Sequence, residues 1–405
     1  MATLKPFKAV RPKKELAPDL CELPYDVLSS AEAREAAAGH TLSFFHVSKP
    51  EIDLPEGTDP YSDEVYSKGA ENFQKLLSEG ALYQDETACY YLYRRIMGDH
   101  SQTGIVAAAS CQEYLDEIIK KHEFTRPDKE NDRVRHIESL NAQTGPVFLT
   151  YRSNDVLNRI FEEQSSKEAC VDITAPDGVR HTAWTISDEQ VIHQIESSFE
   201  AISTLYIADG HHRSAAAGRI YESRKGAGSS GGFLTVVFPH DQMQILAYNR
   251  AVKDLNGRRP EEILSTLEGL GTLAESDTPV DPECKNELGV YMGNRWYRFQ
   301  FEEKVADKGN AVEQLDVSLL QNHVLSPLLA IEDPRKSTRI SFVGGIRGLG
   351  ELEKLVDSGT YAIAFSMHPT RIEDLMQISD EGGIMPPKST WFEPKLRDGM
   401  FTHLI

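Results

Sequence analysis

At 405 residues the chain is longer than one hydrophobic core comfortably fills, so two or three lobes enclosing a cleft are expected. Hydrophobic residues at 40% and charged residues at 26% exclude a disordered chain, and no uncharged apolar run of about eighteen residues is present to cross a membrane. A formal net charge of -20 opposes broad, salt-driven binding to nucleic acid, while a local cluster of cations can still hold a small anion.

MATLKPFKAVRPKKE lacks the apolar middle of a secretion signal. The five cysteines, Cys21, Cys89, Cys111, Cys170 and Cys284, are scattered and form no C-x-x-C pair. Both features lead us to expect a cytoplasmic protein with no thiolate metal site.

SSAEAREAAAG reads as a short helix with a serine cap and a terminal glycine. DPYSDEVYSKGAENFQKLLSEGAL reads as a longer one, with Val65, Phe73, Leu76 and Leu77 at helical spacing and Gly80 as its stop. ACYYLYRRI and GIVAAAS are β-prone and predict a hairpin across GDHSQT, after which QEYLDEIIKKHEFT is expected to end a helix. GPVFLTY predicts a strand, SNDVLNRIFEEQS a helix, and ACVDITAPDGVRHTAWTI two strands about a Pro-Asp-Gly turn. SDEQVIHQIESSFEAIS predicts a helix with a capping box, Ser187 standing three residues before Gln190.

Beyond the small-residue loop GAGSSGG, FLTVVFP and MQILAYNRAV predict two strands able to form a ribbon beside the strand that starts at Leu205. The stretch from Pro260 to about Val312 reads as a helix and short strands, an accessory unit. LDVSLLQNHVLSPLL reads as a helix capped by Asp316, and the remainder as strand, helix, strand. The class is α+β, in four parts: an N-terminal lobe over 1-150, a core over 151-258, the accessory unit over 259-312 and a C-terminal α/β segment over 313-405.

The sharpest chemistry lies in LYIADGHHRSAAAGRIY, where a strand gives way to a helix of small residues. Gly210 permits a tight turn or close ligand approach, and the first N-H groups of the following helix would face outward as an anion cradle. His211, His212 and Arg213 add imidazole donors and a fork-shaped cation. Asp209, at the strand's edge, could cap the helix, orient a histidine, or coordinate a divalent ion carried by a phosphate.

The DGHHR turn followed by alanines resembles the phosphate-binding turn of the ParB/sulfiredoxin-like fold, in the version found in free-serine kinases. The chain also resembles the DUF1015 family of bacterial and archaeal proteins, through LPYDV from Leu23, HEFTRPDKENDR from His122, ADGHHR from Ala208 and MPPKSTWFEPKLRDG from Met385. These resemblances imply a ParB/sulfiredoxin-like core with additional α/β lobes, and a nucleotide-dependent phosphotransferase acting on a small hydroxylated metabolite such as free serine. The kinases' glutamate base has no motif here by which it can be carried over.

Glu123 beside His122 is a candidate general base, and Asp26 of PYD is another, although Asp26 could equally cap the helix starting near Ser29. Tyr25, His122, Arg133, His136 and Asn141 are candidate substrate contacts, with Asp132, Arg133 and His136 able to share a helical face. Lys388, Ser389, Thr390 and Lys395, with Arg397, offer a phosphate clamp that is not a Walker A loop. The expected arrangement has ATP or ADP phosphates at Gly210, held by His211, His212 and Arg213, with Mg2+ assisted by Asp209 and a small-molecule acceptor. Catalytic roles fall to Glu123, Asp209, His212 and Asp26. A non-catalytic nucleotide-binding regulator and a phosphate-ester hydrolase are the alternatives. No nucleic-acid or membrane partner is expected, and homo-oligomers are open.

Overall fold

A computed structural model describes residues 1-306 and 308-405. It is a mixed α/β protein whose contacts divide into two units, one made of Met1–Met243 with Pro394–Ile405, the other of Gln244–Glu393. The chain thus leaves the first unit after Met243 and returns to it at Pro394. Among the described residues no helix is long and apolar enough to cross a membrane.

The first unit is built on a nine-stranded sheet. Its order is Ile119–Lys120, Leu205–Asp209, Val147–Tyr151, Gly232–Pro239, His100–Ser110, Tyr90–Met97, Arg180–Ile186 and Val171–Thr174, and Leu4–Lys5 pairs with His100–Ser110 off this path. The predicted hairpin is present, but Met97 pairs directly with His100, so its turn is only Gly98 and Asp99. Gly98 takes φ +58, a left-handed conformation that glycine adopts without cost. The Val171–Thr174 and Arg180–Ile186 strands pair about the Pro-Asp-Gly turn as expected.

Helices form at Ser30–Ala36, Asp63–Ser78, Pro127–Leu140, Asp155–Ser165, Glu189–Glu200 and His211–Arg224. Ser29 and Glu32 make a complete capping box, so Asp26 is not that helix's cap. Before Glu189–Glu200 the cap is Asp188, which accepts from the amides of Gln190 and Val191, and the expected Ser187 box gives way to this closer carboxylate. The segment expected to end a helix before His122 has only the short helix Cys111–Leu115. Ile119 and Lys120 instead pair in parallel with Leu205 and Tyr206, because edge pairing satisfies their backbone groups.

The ribbon expected beside Leu205–Asp209 does not form. Gly232–Pro239 lies between Val147–Tyr151 and His100–Ser110, while Tyr248–Val252 belongs to the second unit. That unit has a six-stranded sheet in the order Gly271–Ser276, Arg295–Phe301, Glu287–Met292, Ile363–Met367, Tyr248–Val252, Ile340–Gly344. Strands from the 259-312 stretch therefore share one sheet with strands from before and after it. Asp316 opens the helix Asp316–Leu320 from inside its first turn and accepts from the Asn286 amide at 2.7 Å, so it does not cap that helix.

Candidate functional site

The Leu205–Asp209 strand runs antiparallel to Val147–Tyr151, and its register shifts between Ile207 and Asp209. Such an irregularity re-aims the next side chain, here Asp209, at the strand's end. Gly210 then turns the chain with φ +97 and ψ 29, and the His211–Arg224 helix begins. A Cβ on Gly210 would stand 3.0 Å from the Arg213 Nε, so the guanidinium occupies the space that glycine leaves open. The alanines do what their size allows: Ala215, Ala216, Ala217 and Gly218 are buried, and Ala216 with Ile220 packs on Ile137 of the neighbouring helix.

The Gly210 carbonyl accepts from the amides of Arg213 and Ser214, at 2.9 and 3.0 Å. The N-H groups of His211 and His212 have no main-chain partner among the described residues, and no side chain caps the helix. Asp209 therefore does not act as a cap. Its carboxylate meets the Lys395 ammonium at 3.3 Å and the Arg213 guanidinium at 3.9 Å. Burial works to raise the Asp209 carboxyl, but Lys395 and Arg213 overcome it and hold the group below the ordinary carboxylate range. With two cations already on it, Asp209 is poorly placed to give an oxygen to a magnesium ion.

Arg213 is buried in a polar setting. Its Nη1 donates to the Pro146 carbonyl at 2.5 Å. Burial opposes its charge, yet Asp26, Asp209, Tyr25 and Asp398 more than offset that cost and keep it cationic. Beneath it lies a cavity of about 30 Å³ lined by Tyr25, Arg133, Thr144, Gly145, Arg213 and Asp398, among others. That is room for about two or three water molecules, too little for a metabolite. Arg133 stacks on the Tyr25 ring at 3.8 Å and pairs with Asp132 at 2.9 Å, and Asp132 accepts from the Tyr66 hydroxyl at 2.8 Å. Asp398 is buried with one carboxylate oxygen lacking a hydrogen-bond partner, and burial pushes its carboxyl up to about 7.

The two adjacent histidines diverge. His212 is half-exposed, and its Nε2 accepts from the Arg126 amide at 3.1 Å, which puts its hydrogen on Nδ1 and ties the 122-126 segment to the helix. His211 is buried, with Nε2 3.3 Å from the Nε2 of His122 and the two rings edge to face. Burial lowers both, His122 to about 4 and His211 well below its usual value, so both rings are neutral near pH 7. Glu123 brings a carboxylate oxygen within 4.8 Å of the ring nitrogens, which makes His122, Glu123 and His211 the ligand-bearing cluster here.

Four distant stretches thus meet at one turn: Tyr25 and Asp26, His122 to Arg133, Asp209 to Arg213, and Lys395 to Asp398. His136 lines the same small cavity, but its Nε2 is taken up by the Val47 carbonyl at 2.9 Å. The remaining candidates lie elsewhere. Asn141 ends the Pro127–Leu140 helix in the left-handed conformation, and its side chain accepts from Arg224 at 2.6 Å. Lys388, Ser389 and Thr390 belong to the second unit, where the Lys388 ammonium sits over the Tyr248 ring and the Ser389 hydroxyl donates to the Pro386 carbonyl at 2.6 Å. Arg397 donates to His181 Nε2 at 3.2 Å and pairs with Asp177, anchoring the returning chain. In the sequence nothing marks Asp398 beyond its place three residues after Lys395.

Fold and site define a mixed α/β protein with a glycine-turned helix start backed by paired cations and buried imidazoles. The chain belongs to the DUF1015 family, a protein family of unknown function whose pattern matches residues 4-318. No curated protein matches it. Among solved structures it is similar to a free serine kinase in complex with AMP, at 14% identity and TM-score 0.36, covering 71% of this chain and 86% of that one. It is also similar to C-terminally truncated SbnI from Staphylococcus aureus, at 12% identity and TM-score 0.36, covering 72% and 85%. A third is a conserved hypothetical protein from Pyrococcus furiosus, at 15% identity and TM-score 0.35, covering 74% and 95%.

Proposed function

We propose that the protein is a nucleotide-dependent phosphotransferase acting on a small hydroxylated metabolite, with free serine as the first acceptor to test, on a core of the ParB/sulfiredoxin-like kind. The observation that carries this reading is the pair of amides at His211 and His212, which have no main-chain partner and no side-chain cap among the described residues, with the Lys395 ammonium held beside them through Asp209. Outward amides at a helix start and a fixed cation suit the oxygens of a transferring phosphoryl group, whose charge they meet without reorganising.

In this reading the phosphates of ATP or ADP lie across the open side of the turn, where His212 and Asp209 are half-exposed and Asp26 is exposed. The Nδ1–H of His212 is a further donor. Arg213 acts from behind by holding Asp209, and Asp26 takes the proton from the acceptor hydroxyl. Mg2+ arrives on the nucleotide and neutralises its charge, since Asp209 is committed to Lys395 and Arg213.

Purified protein should gain thermal stability from ADP or ATP, because a ligand that binds the native state shifts unfolding. With Mg2+ and serine or a related alcohol it should release a phosphorylated product. Lys395→Met is expected to lower kcat/KM by roughly a hundredfold or more, the scale of losing one preorganised charge partner. Wild-type protein that neither responds to nucleotide nor forms product overturns the reading.

A further inference from the structure

We propose that His122, Glu123 and His211 form a three-ligand site for a divalent first-row transition-metal ion. The inference does not depend on the phosphotransferase reading, since it concerns a cation held by three side chains of this protein, whatever else binds at the turn.

The scaffold is rigid on both sides. Ile119 and Lys120 pair in register with Leu205 and Tyr206, so the two strands run side by side and deliver His122 and His211 to the same edge of the sheet. His211 is the first residue of its helix, and its partner strand ends only a few residues before His122. Both imidazoles are buried, at 5% and 2% exposure, so their orientation is set by packing and not by solvent.

The spacing fits a shared ion. Two nitrogens bound at about 2.0–2.1 Å to one tetrahedral centre lie roughly 3.3–3.4 Å apart. The Nε2 atoms are 3.3 Å apart. A carboxylate oxygen of Glu123 lies within 4.8 Å of both, near enough for a side-chain rotation to complete the set. His122 Nδ1 is buried and makes no hydrogen bond of good geometry, its polar neighbour being the Ile207 main chain. That is the side from which a metal-bound imidazole is usually steadied.

The donor set selects the ion. Two imidazoles and a carboxylate suit zinc, manganese, iron, cobalt or nickel, whereas magnesium and calcium prefer oxygen throughout. Three protein ligands leave a coordination position for water or an anion, the arrangement of an open metal site.

The alternative is an imidazole pair joined by one N–H···N bond, with no ion. Full-length protein, stripped with chelator and free of nucleotide, should take up one equivalent of Zn2+ by calorimetry. Co2+ should give the visible absorption of a tetrahedral or five-coordinate site. Mg2+ in large excess should not compete. His211→Ala and His122→Ala should weaken Zn2+ binding by a hundredfold or more, and Glu123→Gln by roughly ten- to a hundredfold. His136→Ala, outside the cluster, should bind as wild type does. Glu123 is half-buried, so its glutamine variant should fold even if a histidine variant does not. Absence of stoichiometric uptake by wild type, or uptake that Glu123→Gln and both histidine variants leave unchanged, overturns the proposal. Since no nucleotide is present, that failure would leave the phosphotransferase reading standing, and loss of nucleotide binding would not touch this one.

Discussion

His136 and His122 are both buried, and burial brings both imidazoles down to about 4. What separates them is the partner each Nε2 meets. In His136 it meets the Val47 carbonyl, an ordinary acceptor, and the ring pins the Pro127–Leu140 helix to the 47-48 stretch. In His122 it meets another imidazole, with a carboxylate close by. Depth and basicity are therefore the same for a structural histidine and for a ligand candidate, and only the chemistry of the partner tells them apart. Asp398 and Asp209 repeat the lesson with carboxylates. Both are placed near Arg213, but Asp209 also has Lys395 while Asp398 keeps an unpartnered oxygen, so the first is driven down and the second up.

The largest expected effect tests that carboxylate contrast through pH. Asp398 has a folded-state pKa of about 7 against roughly 3.9 for an unfolded aspartate. The native state therefore holds this proton more tightly. The associated stability is complete below about pH 4 and is lost as pH rises through 7, at most about 4 kcal/mol by linkage. Asp398→Asn should remove this dependence, so urea midpoints of wild type and variant should diverge in the variant's favour from pH 4 to pH 8. Parallel midpoints across that range would show that Arg213 already satisfies the carboxylate.

His136→Ala comes next. It leaves the Val47 carbonyl without its partner and opens a cavity, costing about 2–4 kcal/mol in chemical denaturation. Its effect on nucleotide response should not exceed what that stability loss explains. A selective loss of acceptor binding would instead return His136 to the substrate contacts and erase the contrast with His122. Gly210→Ala follows at about 1–3 kcal/mol, since alanine is strained at φ +97 and its methyl presses on the Arg213 guanidinium. Because that guanidinium helps fix Asp209, the nucleotide-induced shift in Tm should fall further than the stability itself.

The turn was legible in the sequence because its signals are local: an apolar β-prone run, a glycine, then small residues with helical tolerance. The convergence of LPYDV, HEFTR, DGHHR and KLRDG was not legible from spacing, because it depends on the chain leaving the first unit at Met243 and coming back at Pro394. For the same reason MPPKSTWFEPKLRDG read as one clamp, whereas Lys388 to Thr390 and Lys395 to Asp398 fall in different units. The strand Ile119–Lys120 was hidden inside a helix-like pattern, since two residues carry no periodicity and only their partner Leu205–Tyr206 makes them a strand. Without that pairing nothing in the sequence brings His122 to His211.

Asn141 gives the smallest effect and the cleanest separation of cap from contact. It occupies φ +51 and ψ 37 at the end of the Pro127–Leu140 helix, the left-handed position that glycine fills best and asparagine next. Its side chain accepts from the exposed end of Arg224, a bond worth little once solvent competes for it. Asn141→Gly should therefore change stability by no more than about 0.5 kcal/mol, the relief of the left-handed backbone offsetting the lost bond and the added chain entropy. Asn141→Ala, which has neither glycine's freedom nor the amide, should cost about 1 kcal/mol. The helix is 14 residues long, which at about 1.5 Å per residue puts this cap some 20 Å from the end that His212 holds through Arg126. Neither variant should alter KM for the acceptor. A raised KM with unchanged stability in Asn141→Gly would mean that the substrate reaches the far end of this helix, and the turn alone would no longer define the site.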